Sequence, residues 1–217
     1  MTNERRTAPQ GAVAPTSHHP LAARLLADFD LTSRGRTVVG IAGESGSGKS
    51  VTATTLAREL TVAGLRTEVI HQDDYFHLPP RTNHERRVED LGRVGPQEVN
   101  LDLLASHVAD FRAGRDNVAA PAVDHPGNRF LSRRFDFAAA AVLVVEGTYV
   151  LHLHDLDVGV FLEATHEDTR ERRRLRNRDI VAPVIDEILA IEHEIIVRQA
   201  AFANVAIDRD FAVRRRL

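Results

Sequence analysis

Gly43-Glu44-Ser45-Gly46-Ser47-Gly48-Lys49-Ser50 fits G-x-x-x-x-G-K-[ST], and its neighbours decide how it is read. Before it runs Thr37-Val38-Val39-Gly40-Ile41-Ala42, a β-branched segment that predicts a buried strand. After it, a helical pattern opens near Lys49. Strand, glycine loop and helix start gather main-chain N–H groups round one concave spot, where the helix dipole adds partial positive charge. Such a spot selects phosphate. Gly43 to Ser50, with Val51 in the first helical turn, are the candidate ATP-binding residues; Lys49 reaches the β- and γ-phosphates and Ser50 holds Mg²⁺.

Composition supports this reading. Of 28 lysine and arginine residues only Lys49 is lysine, a compact ammonium on a flexible stem where every other cation is a planar fork. The 217 residues suit one α/β domain with an insert, expected over 20–217 behind a flexible tail at 1–19. In that tail His18-His19 reads as solvated rather than metal-binding. Net charge is −3 and the isoelectric point near 6.4, so no basic field invites nucleic acid. The absence of cysteine excludes a disulfide framework and suits a reducing cytoplasm. No apolar run approaches the ~18 residues of a membrane span, and the opening MTNERRTAPQ lacks the apolar core of a signal peptide. A cytoplasmic protein with a small-molecule substrate, no nucleic acid and no membrane partner is expected.

Leu21, Leu25, Leu26 and Phe29 share a helical face, and Val51, Leu56, Leu60 and Val62 mark the helix after the glycine loop, ended by Gly64. Further strands are expected at Thr67–His71, Ala141–Val145, Val158–Leu162 and Val205–Ile207, the last after a long helix through Ile185, Ile188, Leu189, Glu192 and Ile196. Continuous apolar runs suit strands covered on both faces, giving an α/β fold: a parallel sheet of about five strands with helices on both sides and ligands at the carboxyl ends. About 65 residues separate the second strand from the third, more than a crossover needs, so 77–135 reads as a substrate-binding insert. Within it Leu101, Leu104, Val108 and Phe111 predict a helix capped by Asn100, and Pro121 to Gly127 an extended piece and a turn.

Phosphoryl transfer asks the protein for positioning, metal, charge neutralisation and a group that orients the attacking hydroxyl. The second strand runs into Gln72-Asp73-Asp74-Tyr75-Phe76. Neighbouring side chains on an extended segment face opposite ways, so Asp73 is assigned to the hydroxyl and Asp74 to a metal or structural role. Glu146 ends the most apolar strand and requires a partner, for which Mg²⁺ is the candidate. Arginines three and four apart in Thr169–Asp179 share a helical face, so Arg170, Arg173 and Arg174 can converge on phosphates from a lid over 167–183. His152, His154 and Asp155 form a weaker metal candidate.

GESGSGKS, QDDYF at 72–76, VVEG at 144–147 and TRERRRLRNRD at 169–179, in this order, resemble the uridine kinase and phosphoribulokinase family of P-loop kinases over about 36–208. The resemblance implies that Asp73 acts on a sugar hydroxyl, that Glu146 lies near Mg²⁺, and that lid arginines between Arg170 and Arg178 meet the nucleotide. It also admits a homo-oligomer. The family's substrate loop, Pro-x-Tyr-Asp-Phe, stands here as Pro121-Ala122-Val123-Asp124-His125. Asp124 persists while both rings are replaced, which leaves Asp74, Tyr75, Phe76, Asp124 and His125 as candidate acceptor contacts, Tyr75, Phe76 or Phe130 to supply stacking, and the acceptor's identity open. The expectation is an ATP-dependent kinase of a small hydroxyl compound, foremost a nucleoside. A sugar phosphate, a pantothenate-like alcohol, and a regulatory nucleoside triphosphatase are the alternatives.

Overall fold

The computed structural model describes residues 19–31, 35–170 and 183–216. Its centre is β1 (Thr37–Gly43), every residue of which is buried. Parallel neighbours flank it: β5 (Val142–Gly147) on one side and β6 (Val158–Leu162) on the other, with β2 (Thr67–His71) beyond β5 and β7 (Val205–Ile207) beyond β6. These are the five expected strands. A sixth, β8 (Val213–Arg215), adds antiparallel at the end, completing the order β2-β5-β1-β6-β7-β8.

Alternation along β1 divides the core. Val39 and Ile41 point into a cluster with Leu21 and Leu25 of α1 (His19–Asp28) and Leu56 and Leu60 of α2 (Lys49–Val62). Val38 and Ala42 point the other way, into a cluster with Phe111, Phe137 and Ile196. Ile196 belongs to α5 (Pro183–Gln199), the expected long helix. Apolar side chains on both sheet faces, covered by helices, account for the unbroken hydrophobic runs.

The insert is built separately. It holds α3 (Pro80–Glu89), α4 (Leu101–Arg112) and a two-stranded antiparallel hairpin of β3 (Val118–Asp124) and β4 (Arg129–Phe135). Asn100 caps α4 as expected, its Oδ1 accepting from Leu103 N at 3.0 Å. The extended piece at 121–124 is the end of β3, and His125 to Asn128 form the turn. The expected tail falls almost wholly outside the described residues, and His19 already belongs to α1. Residues 171–182, the greater part of the expected lid, lie outside them too.

Candidate active site

The glycine loop joins β1 to α2 through residues that ordinary side chains would strain. Gly46 has φ 79°, and Gly48, at φ 103°, is the left-handed residue from which α2 starts. Lys49 folds back, its Nζ donating to Glu44 O at 2.9 Å, which holds the ammonium over the loop.

Opposite the start of α2 stands the end of β5. Glu146 is 3% exposed, and its Oε1 accepts from Ser50 Oγ at 3.0 Å and lies 2.7 Å from His71 Nδ1 at the end of β2. Burial works against its charge, yet the His71 hydrogen bond, the Lys49 ammonium and the Ser50 hydroxyl hold its carboxyl below the ordinary range. The same hydrogen bond raises His71 against the opposing effect of burial. An ionised carboxylate, a hydroxyl and a nearby ammonium form an oxygen-rich donor set that fits a magnesium-bound triphosphate.

Gln72 to Tyr75 form a single 3₁₀ turn rather than an extended segment. The turn still separates the two aspartates. Asp73 opens into the cleft, where the surrounding walls push its carboxyl above the ordinary range. Glu146 adds to the shift, and Lys49, His125 and His71 oppose it. Asp74 points away and is buried, its Oδ1 accepting from Val123 N at 2.7 Å, so it braces the hairpin and is not free for metal. Gln72 locks the turn to β5: its Oε1 accepts from Tyr149 N at 2.7 Å, and a Cβ on Gly147 would stand 2.2 Å from the Gln72 Cβ.

A cleft of about 600 Å³ runs from the glycine loop to the insert, with Lys49, Asp73, Phe76, His125, Ile188 and Glu192 among its walls. Phe76 and His125 thus stand where acceptor contacts were expected. Tyr75 and Asp124 do not. Tyr75 is 2% exposed in the core, its hydroxyl 2.7 Å from His107 Nδ1. Asp124 is spent on its own turn, accepting from Gly127 N at 3.1 Å and Arg129 Nε at 2.9 Å. Arg170 pairs with Asp186 at 2.8 Å, which directs it to the start of α5 rather than to a phosphate. Arg173, Arg174 and Arg178 lie outside the described residues. Glu44 turns its side chain away from the cleft, toward His166 and His193. Val51 sits exposed on the first turn of α2.

The sequence reading missed the polar frame at the insert's end of the cleft. Arg87 donates to Glu98 through Nε at 2.6 Å and Nη2 at 2.8 Å, and the same Nη2 lies 3.0 Å from Glu192 Oε1. Asn83 Nδ2 and Gly95 N complete Glu98 at 2.9 and 3.0 Å. Burial pushes the Glu192 carboxyl up, against the charges of Arg87 and Lys49. One signal was available: Glu192 is the acid on the otherwise apolar stripe of α5. Arg87 carried none, because Pro80–Glu89 is so polar that it reads as a solvated helix.

Known proteins resemble this chain in sequence and in fold. The chain is 29% identical over 196 residues to the uridine kinase of Macrococcus caseolyticus, an alignment covering 79% of this chain and 92% of that one. It is 30% identical over 198 residues to a bifunctional α-galactosidase/sucrose kinase of Mediterraneibacter gnavus, covering 85% of this chain but only 21% of that larger protein. In fold it resembles a possible uridine kinase from Bacillus stearothermophilus, with a TM-score of 0.63 at 20% identity over 88% of this chain and 96% of the other. Residues 38–209 match the phosphoribulokinase / uridine kinase family, and the chain belongs to that family of P-loop kinases, which are ATP:alcohol phosphotransferases.

Proposed function

We propose that this kinase transfers the γ-phosphoryl group of magnesium-bound ATP to a hydroxyl of a nucleoside, with Asp73 orienting that hydroxyl. The observation that carries the reading is the placing of Lys49 and Asp73 on one cleft, with Glu146 and Ser50 joined beside it. The bond from the acceptor oxygen to the γ-phosphorus forms while the β–γ bridging P–O bond breaks, and the hydroxyl proton passes to Asp73. Lys49 offsets charge on the departing diphosphate. Ser50 and Glu146 would hold the magnesium ion, which would supply charge neutralisation to the triphosphate. Arg173 and Arg174 remain candidates for the transferring group, and Arg178 for the nucleotide, on sequence grounds alone.

A sugar or another small alcohol is the second reading. It is favoured by Val123 and His125, which stand where the family's rings do, and by the M. gnavus relative. Because Tyr75 is sealed in the core, Phe76 is the aromatic residue left in the cleft wall to stack on a base. ADP release should therefore be measured across nucleosides and free sugars. A nucleoside acceptor predicts that Phe76→Ala lowers its kcat/KM by ~5- to 100-fold, the loss of one stacking contact. Turnover with sugars alone, indifferent to Phe76→Ala, would replace the first reading by the second. ATP hydrolysis unchanged by any acceptor would instead mark a regulatory triphosphatase.

A further inference from the structure

Beside the glycine loop, at residues that do not line the cleft, three segments distant in sequence bring their side chains together. Glu44, in the loop, is 5% exposed and turns inward. Its Oε2 accepts from the main-chain N–H of His166 at 2.6 Å and lies 2.9 Å from His166 Nδ1, just after β6. Its Oε1 lies 2.7 Å from Nδ1 of His193 on α5. The two imidazoles meet edge to face, with centroids 5.6 Å apart.

We propose that Glu44, His166 and His193 form a site for a divalent transition-metal ion of the zinc type, distinct from the magnesium position at Ser50 and Glu146. Donor chemistry is the first reason. Two imidazole nitrogens and one carboxylate are a set that zinc accepts with a water in the remaining position, whereas magnesium prefers oxygen alone. The second reason is spacing. One donor atom from each residue lies within 4.8 Å of the others. Ligands at about 2.1 Å from one ion stand roughly 3.0–3.4 Å apart, and each imidazole is a few tenths of an ångström short of that from its own carboxylate oxygen, His166 from Oε2 and His193 from Oε1, so a small opening with the two oxygens turned to one ion suits the set.

Burial is the third reason. Glu44 is 5% exposed, and buried carboxylates are ordinarily paired or bound to metal. Among the described residues its ion-pair partners are these two histidines. On binding, each imidazole carries its proton on Nε2 and presents Nδ1 to the ion, while the His166 N–H continues to hold the carboxylate. The ion then ties the glycine loop, the segment after β6 and α5 into one unit.

The test uses the full chain in excess Mg²⁺, which saturates oxygen-only positions. Zn²⁺ is titrated by calorimetry and Co²⁺ by visible absorption. The expected result is one Zn²⁺ per chain, Co²⁺ bands of a nitrogen- and oxygen-ligated low-coordinate ion, and a melting temperature that rises with Zn²⁺. His193→Ala, His166→Ala and Glu44→Gln should each weaken binding by at least about ten-fold and abolish the bands. If His166→Ala does not fold, His193→Ala, at a half-buried position, keeps the test open. Absence of stoichiometric uptake, or uptake unaltered in His193→Ala, would overturn the proposal and leave the cluster as a hydrogen-bonded brace. Neither readout depends on phosphoryl transfer, so the outcome stands apart from that of the proposed function.

Discussion

The glycine-loop end of the cleft is carried on β1, β5 and the first turn of α2, and a loop of this kind offers main-chain N–H groups to an anion. The end proposed for the acceptor is carried on α3, the hairpin and the middle of α5, held by side chains crossing between them: Arg87 to Glu98 and Glu192, Asp74 to Val123 N. A surface of main chain survives most side-chain replacements and fails only where a particular side chain supplies charge. A surface made of crossing side chains is vulnerable at each buried partner, because removing one leaves the other charged and unpaired.

Lys49→Ala gives the largest expected effect. With the ammonium lost from beside the transferring phosphoryl group, turnover should fall by on the order of 10³-fold or more, while thermal stability hardly changes. A coupled ADP assay beside a melting curve checks both. A loss under ten-fold would mean that main-chain donors alone hold the phosphate end.

Asp73→Asn should cost on the order of 10²–10⁴-fold in kcat with ATP binding retained, and it should also raise the melting temperature. The sign follows from its raised carboxyl. A folded-state pKa above the unfolded one means that folding favours the protonated form. That contribution is fully present below the ordinary aspartate range and is lost as pH rises through the raised value, so near neutrality the ionised Asp73 burdens the fold and the amide removes the burden. Activity runs the other way: kcat/KM should decline on acidification at a pH above the ordinary carboxylate range, and the residual activity of Asp73→Asn should lack that limb. A mutant less stable than wild type would contradict the electrostatics.

Arg87→Met is expected to destabilise the chain by about 3–5 kcal/mol in urea denaturation, since Glu98 and Glu192 are left buried and unpaired. Its acceptor KM should rise more than its ATP KM. Equal changes in the two would show that the network spans both ends of the cleft. The smallest effect belongs to Asp124→Asn, in an exposed turn with Arg129, which should leave the urea midpoint and both KM values unchanged within error. A marked rise in acceptor KM would return Asp124 to the cleft.

The same division decides what could be read from the chain. The phosphate end was legible because its signals are local: a glycine pattern, five apolar runs and a carboxylate at the close of one of them. Strand alternation sends Asp73 and Asp74 different ways, and so does the 3₁₀ turn that takes the strand's place, because either geometry points adjacent side chains in different directions. Tyr75 was misjudged since nothing local distinguishes a ring facing the cleft from one turned toward His107. Glu192 meets Arg87, and Glu44 meets His166 and His193, only after the chain has folded back over a hundred residues or more, and no spacing rule spans that distance. β8 escaped because three residues, two of them arginine, do not form an apolar run.

The contact between Gly147 and Gln72 has a consequence for how such an enzyme can change. Because β5 and the turn bearing Asp73 abut without room for a methyl group, the spacing of Glu146 and Asp73 is set by the backbone. A lineage can therefore exchange the hairpin and α3 for others while inheriting that spacing intact.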